Sequence, residues 1–279
     1  MTFAQLYRQC RQTLTGETAD FDLSQLFRAH FSGAPGLRFS EAEVPDEEAF
    51  VFRHKVHRLS EGYPLQYLLG EWEFYGIPLK VGPGVLIPQP DTETVVDLAL
   101  ELLAPVPNAV AADYCAGSGA IALALAKHLP EARVYAVELF DDALEYLRQN
   151  VAENGLADRI AVVQGDVREG LPLPALDLIA SNPPYLTEEE MTRLPPQVAC
   201  EPETALRGGE DGLDYYRIIA QNAVPQLRPG GWLVLEVGYR QAADVREILD
   251  QNGYEAISTR RDLCGVERCV CARRPVKEV

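Results

Sequence analysis

Cysteine and histidine are scarce in this chain of 279 residues, with six Cys and four His. Six cysteines without a Cys-x-x-Cys pair exclude a disulfide scaffold and offer no zinc-binding spacing. Cys269 and Cys271 read instead as alternate positions on a strand. His30, His54, His57 and His128 form no cluster with the cysteines, and only His54 and His57 share a helical face, so no metal site is expected. Long apolar runs are also lacking. Ile121–Ala126 and Trp232–Leu235 fall far short of the ~20 residues a membrane-spanning helix needs. Positive charge is the third deficit: 25 Lys and Arg stand against 42 Asp and Glu, a net charge of −17. That balance argues against gripping long stretches of nucleic acid, which requires a broad cationic face; it suits a basic protein partner. Met1–Gln12 has no apolar core like that of a signal peptide, so a cytoplasmic location is expected.

Hydrophobic residues make up 47% and charged residues 24%, as in a folded protein of one large or two smaller domains. Two rhythms divide it. Residues 1–70 read as a small helical bundle: Phe3, Leu6, Tyr7, Cys10 and Leu14 recur at helical spacing, and 21–31 and 46–61 repeat the pattern. Residues 71–90 read as a β-hairpin linker, with Trp72, Phe74, Ile77 and Leu79 interrupted by Gly76, Gly82 and Gly84. From 91 to 279, strands alternate with helices: strands at 109–113, 133–138, 160–164, 176–181 and 232–237, then two closing strands at 254–260 and 268–273. Repeated βα units predict an α/β fold with a mostly parallel sheet covered on both faces.

Asp113-Tyr-Cys-Ala-Gly-Ser-Gly119 lies between the first of these strands and its helix. The glycines permit a tight turn that a ligand can approach. The spacing is neither G-x-G-x-x-G with its phosphate-facing helix nor a P-loop. Glu138 ends the next strand, where a carboxylate can accept both hydroxyls of a ribose, and Asp166 ends the third, where it could meet an adenine amino group. S-adenosylmethionine matches this set. It has no phosphate, and Asp113 beside the loop favours its positive charge.

Asn182-Pro183-Pro184-Tyr185 follows the fourth strand directly. An amide or amino nitrogen on a planar group is a poor nucleophile because its lone pair is delocalised. The Asn182 side-chain oxygen and the Pro183 carbonyl can accept its two N–H bonds and orient it. Pro184 stiffens the loop, and Tyr185 can stack on a flat substrate group. Asn182, Pro183 and Tyr185 are thus the candidate catalytic residues, and much of the rate would come from positioning.

Several segments together resemble the release-factor glutamine methyltransferases, the HemK/PrmC family of protein-(glutamine-N5) methyltransferases. They are Pro64-Leu-Gln-Tyr-Leu-Leu-Gly70, Glu73-Phe74, Leu86-Ile-Pro-Gln-Pro-Asp-Thr-Glu93, Ser181-Asn-Pro-Pro-Tyr185, Glu201-Pro-x-Thr-Ala-Leu206, Gly208-Gly-x-Asp-Gly-Leu213 and Glu267-Arg268. The resemblance implies a Rossmann-like class I methyltransferase domain with a seven-stranded sheet. It implies methyl transfer from S-adenosylmethionine to the Gln of the Gly-Gly-Gln motif of class I peptide-chain release factors, supporting translation termination, by a monomer that the N-terminal helices help dock. Cys115, Ala116, Gly117, Ser118, Gly119, Glu138 and Val167 would hold the cofactor. Asn182, Pro183, Pro184 and Tyr185 would hold the target Gln, with Asn182 also near the reacting methyl. Three departures stand out: Tyr114-Cys115-Ala116 where the family commonly reads Leu-Gly-Thr, Gln89 in place of Arg, and Val167 where an aromatic residue can stand. Two other readings share parts of this pattern, an adenine-N6 nucleic-acid methyltransferase and a partner-binding module that has lost catalysis.

Overall fold

The computed structural model describes residues 1–32 and 36–276. Residues 33–35 of the expected helical domain 1–70 and residues 277–279 of the expected α/β domain 91–279 lie outside the described residues. The chain forms two compact units, one comprising Met1–Glu71 with Leu194–Cys200, the other Trp72–Arg193 with the chain from Glu201 onward.

The first unit is helical: α1 (Phe3–Thr13), α2 (Ala19–His30), α3 (Asp46–Ser60) and α4 (Leu65–Leu69). Thr2 caps α1 reciprocally with Gln5, satisfying two amides at the helix start. Leu6, Leu23, Leu26, Phe52 and Val56 are fully buried. Phe27 packs edge-on against Phe52, with ring centroids 5.3 Å apart. The short α4 was not legible from periodicity, because five residues are too few to show a period.

In the second unit, β1 (Glu71–Phe74) and β2 (Ile77–Lys80) pair through a two-residue turn. Tyr75 and Gly76 both have positive φ, 52° and 68°, as such a turn requires. The hairpin is more than a connector. Phe74, Ile77 and Leu79 are buried in the core of this unit. The chain then runs through a single 3-10 turn at Pro90–Thr92 into α5 (Glu93–Leu103), and on through β3 (Val110–Tyr114), α6 (Ala120–His128), β4 (Arg133–Glu138), α7 (Asp141–Glu153), β5 (Ile160–Gln164) and β6 (Leu176–Ser181). Short α8 (Glu188–Met191) and α9 (Glu203–Leu206) precede α10 (Asp214–Gln226), β7 (Leu227–Glu236), α11 (Ala242–Gln251), β8 (Glu255–Arg261) and β9 (Glu267–Arg273).

The seven-stranded sheet has the order β5-β4-β3-β6-β7-β9-β8. Strands β3 to β7 are parallel, and β9 runs antiparallel to both β7 and β8. Alternation sorts the side chains of each strand between two cores. On β3, Ala111 joins the core under α5 and α6, while Ala112 and Tyr114 join the one under α10 and α11. Cys269 and Cys271, two apart on β9, both enter the first core as free thiols. Every residue of α6 from Ala120 to Ala126 is buried, and its alternating alanines let it sit close to the sheet. Buried Asn150 on α7 ties the layers together. Its amide donates to the Lys80 and Ser118 carbonyls, and its oxygen accepts from the Lys80 amide.

Tyr114 is 1% exposed, and its hydroxyl has no hydrogen-bond partner among the described residues. Removing an unpaired buried hydroxyl relieves its desolvation penalty. Tyr114→Phe is therefore expected to raise stability by about 1 kcal/mol in denaturant titration. A loss of stability would show that the hydroxyl is satisfied in solution.

Candidate active site

The sheet grows from β3 toward β4 and β5 on one side and toward β6 and β7 on the other. Loops leaving the carboxyl ends of β3 and β6 must diverge at that reversal, and a crevice opens between them. The cleft there encloses about 910 Å³, part of it open to solvent. Of the sequence-predicted residues, Asp113, Cys115, Ala116, Gly117, Ser118, Glu138, Asp166, Val167, Asn182 and Pro184 line it. Gly119, Pro183 and Tyr185 stand outside its wall.

The loop after β3 is shaped by backbone geometry. Cys115, Gly117 and Gly119 have φ of 59°, 53° and 86°. The left-handed region is unstrained for glycine but costs a residue with a Cβ roughly 1 kcal/mol, so Cys115 holds mild strain. Gly119 has a packing role: a Cβ there would lie 2.5 Å from Leu147 Cδ1 and 2.7 Å from Leu123 Cδ1. Burial pushes the Cys115 thiol well above its usual range, which disfavours the reactive thiolate.

Glu138 is 7% exposed and accepts three backbone N–H groups. Gly117 lies 2.8 Å from Oε2, and Leu139 and Phe140 lie 2.8 and 3.0 Å from Oε1. It thus fastens the glycine loop to the end of β4; Oε1 is filled by two amides, and Oε2 keeps a lone pair for a ligand. Asp113 is 1% exposed. Its Oδ2 accepts from the Ala122 amide at 2.9 Å, while Oδ1 has no partner. Burial, with the Glu138 charge adding to it, pushes its carboxyl up to about 8. Asp166 is less free than the sequence implied. Arg168 grips both of its carboxylate oxygens, with Nε 2.9 Å from each, and holds its carboxyl below the usual range. Beside Val167, Tyr215 from α10 contributes an aromatic ring to the wall. No sequence signal marked Tyr215, because it lies 48 positions downstream of Val167.

At the end of β6, Asn182 Nδ2 donates to Thr92 Oγ1 at 3.2 Å, and its Oδ1 receives no bond from any described residue. Thr92 Oγ1 donates in turn to Glu236 Oε2 at 2.6 Å. The Tyr185 hydroxyl reaches Glu236 Oε1 at 3.4 Å, and Gln241 Nε2 holds the Tyr185 carbonyl at 3.0 Å. Arg268 bonds Asp91 at 3.0 Å and Asp262 at 3.4 Å, and its charge favours the ionised form of Glu236. The segments around 91, 182 and 268 are therefore one assembly.

Two glycines explain another segment. A Cβ on Gly208 would fall 2.7 Å from Tyr185 Cα, and one on Gly212 would fall 2.4 Å from the Tyr185 oxygen. Backbone hydrogen bonds Leu186 N–Leu206 O and Gly208 N–Leu186 O, both 2.8 Å, zip the two loops together. Glu201 supports the other rim, accepting from the Ile87 amide at 2.9 Å.

Burial raises the carboxyls of Glu201 and Glu236 to about 7 and that of Asp113 to about 8. A raised carboxyl favours the folded state at low pH, and that stability is lost as pH climbs through the folded value. The ligand-free protein is therefore expected to melt at progressively lower temperature between about pH 4.5 and pH 8. A melting temperature rising across that window would contradict these ionisations.

Among the described residues, no cluster of His, Cys, Asp or Glu could hold a metal ion, and no helix is long and apolar enough to cross a membrane. A family model described as "Methyltransferase small domain" matches residues 92–210. The release factor glutamine methyltransferase of Moorella thermoacetica is 43% identical over 84% of this chain and 83% of its own. That of Geobacter sulfurreducens is 42% identical over 81% and 79%. Among solved structures, the T. thermophilus 16S rRNA N2 G1207 methyltransferase in complex with AdoMet and guanosine superposes with a TM-score of 0.53. It is 20% identical and covers 73% of this chain and 49% of that one, a likeness of fold. With this Rossmann-like methyltransferase sheet and identity of that extent along most of its length, the chain belongs to the release factor glutamine methyltransferase family.

Proposed function

We propose that the protein transfers a methyl group from S-adenosylmethionine to the side-chain amide nitrogen of the Gln in the Gly-Gly-Gln motif of class I peptide-chain release factors. The observation that carries this reading is the Asn182 side chain, anchored through its nitrogen with its oxygen unengaged at the cleft. An acceptor presented in this way suits a donor N–H of a planar amide.

The cleft residues fit the cofactor. The orphaned Asp113 Oδ1 belongs to a buried carboxyl that a cationic ligand group would satisfy by drawing it into its ionised form. Glu138 offers a ribose hydroxyl the remaining lone pair of Oε2, and Val167, Tyr215 and Phe140 offer apolar and aromatic surface to a base. When bound, S-adenosylmethionine supplies an electrophilic methyl on a sulfonium. Asn182 Oδ1 and the Pro183 carbonyl hold the two amide N–H groups of the target Gln and aim its nitrogen. Pro184 keeps the loop stiff, and Gln241 and Glu236 hold Tyr185. The reacting nitrogen loses its proton after it becomes cationic, so no strong base is required. The helical unit, with Phe21, Phe39 and Phe50 more than half exposed, is the part we assign to docking the factor.

Peptide mass mapping after incubation with cofactor and a class I factor tests the reading. One added methyl on the Gly-Gly-Gln peptide is expected, and a methyl only elsewhere would overturn it. The cofactor site has its own test. Asp113 is mostly protonated near neutral pH in the ligand-free protein, and a cation at Oδ1 favours its ionised form. Binding at about pH 6.5 is therefore expected to release close to one proton per cofactor, falling off above about pH 8. Titration calorimetry in buffers of different ionisation enthalpy measures this, and a buffer-independent heat would remove Asp113 from the site.

A further inference from the structure

The side chain of Asn182 can face the cleft in two ways, and they are chemically opposite. With the oxygen forward it accepts an N–H; with the NH2 forward it donates and repels the amide it should orient. What lies behind it decides between the two. Thr92 Oγ1 is 3.2 Å from Asn182 Nδ2 and 2.6 Å from Glu236 Oε2. Glu236, 1% exposed, ends β7, and Thr92, 4% exposed, lies in the 3-10 turn before α5. Burial raises the Glu236 carboxyl to about 7, so above that pH it is ionised, and a carboxylate only accepts. The single hydroxyl proton of Thr92 therefore goes to Glu236, and its lone pairs can serve only a donor. The Asn182 NH2 is that donor, which leaves Oδ1 for the cleft.

We propose that Thr92 and Glu236 are positioning residues that fix the polarity of the Asn182 amide, so that the loop presents an acceptor to the substrate nitrogen. The proposal rests on the reading of Asn182 as the acceptor for the target Gln. Burial and the Asp91 charge oppose ionisation of Glu236, and three neighbouring groups, the Thr92 hydroxyl, Arg268 and the Tyr185 hydroxyl, work against them. Arg268 is close enough to stabilise its charge, with Asp91 and Asp262 holding the guanidinium, and the Tyr185 hydroxyl donates to Oε1. A neutral residue of the same shape at Glu236 could give or take a proton and would leave the chain of hydrogen bonds without a direction.

The test uses the full-length protein with its release factor and two independent readouts. Thr92→Val keeps the shape and removes the hydroxyl. It is expected to lower turnover by ~10-fold or more with little change in cofactor affinity, because orientation and not binding is lost. Thr92→Ser is expected to recover most of that loss, and Glu236→Gln to fall between. In an Asn182→Ala background Thr92→Val should cost nothing further. The second readout needs no methyl transfer. The Asn182 side-chain NH2 signal, assigned by its absence in Asn182→Ala, should exchange with solvent slowly in the parent protein and at least ~10-fold faster in Thr92→Val. Unchanged exchange, or an equal further loss of turnover in the Asn182→Ala background, would overturn the proposal. If the parent protein methylates no factor, the functional reading fails, and the exchange measurement still decides the polarity of the amide.

Discussion

Asn182→Ala is expected to slow methyl transfer by ~10²-fold or more while leaving the affinity for S-adenosylmethionine close to that of the parent, a loss comparable to removing one preorganised hydrogen-bond partner from a reacting centre. The reason lies in the division of labour in the cleft. Asp113, Glu138 and the glycine loop sit at the ends of β3 and β4, and they retain their partners when Asn182 is shortened. What disappears is one acceptor at the end of β6 and the anchor it shares with Thr92. The fold should be unaffected, since Asn182 is only partly buried and Ser181 before it still donates to the Tyr114 carbonyl at 2.6 Å. Single-turnover rates beside calorimetric affinities separate the two effects. Parent-like turnover would remove Asn182 from the chemistry. A large loss of cofactor affinity would move it into the cofactor site.

Glu138 is expected to behave in the opposite way. Glu138→Ala should weaken cofactor binding by about 1–3 kcal/mol through loss of a charge-assisted bond to a ribose hydroxyl. The structure adds a second effect. The same carboxylate collects the amides of Gly117, Leu139 and Phe140, so its removal leaves three donors near the loop without a partner. The ligand-free protein should therefore also melt at a lower temperature. Glu138→Gln separates the contributions: its one oxygen can keep part of the backbone ties, while its NH2 cannot accept from a ribose. Lower affinity with nearly recovered stability is the expected result for that variant. Calorimetry showing parent-like affinity for both variants would take Glu138 out of the ribose site.

The order of strands and helices in the second unit could be read because helices and strands carry different periods, and because buried parallel strands such as Arg133–Glu138 are bounded by clear turns. The residues of the glycine turn and of Asn182–Tyr185 could be read because each set is contiguous in the chain. Thr92 and Glu236 could not. They lie 90 and 54 positions from Asn182, on opposite sides of it in the sequence. They meet it only because β6 and β7 are parallel neighbours with Ser181 opposite Leu235, which sets the next residues, Asn182 and Glu236, side by side at the strand ends. Tyr215 was hidden for a similar reason, since a helix periodicity shows which face is apolar and not which residue borders a cleft. The departure at Cys115 was visible as a missing glycine, but its meaning needed the backbone, where φ is 59°. Asp166 was readable as a carboxylate at a strand end, and only the side chains reveal that Arg168 grips it. The hairpin was legible as a hairpin, whereas its tie to α7 runs through Asn150, 70 positions from Lys80.

The most direct measurement of the central claim is transfer of labelled methyl from S-adenosylmethionine to a purified class I release factor. The Gln→Ala variant of the factor's Gly-Gly-Gln motif and a single-stranded oligonucleotide containing adenine run in parallel. Label on the wild-type factor alone is the predicted result. Label on the Gln→Ala factor, label on the oligonucleotide, or no label on the factor while cofactor binding is intact would each contradict the account.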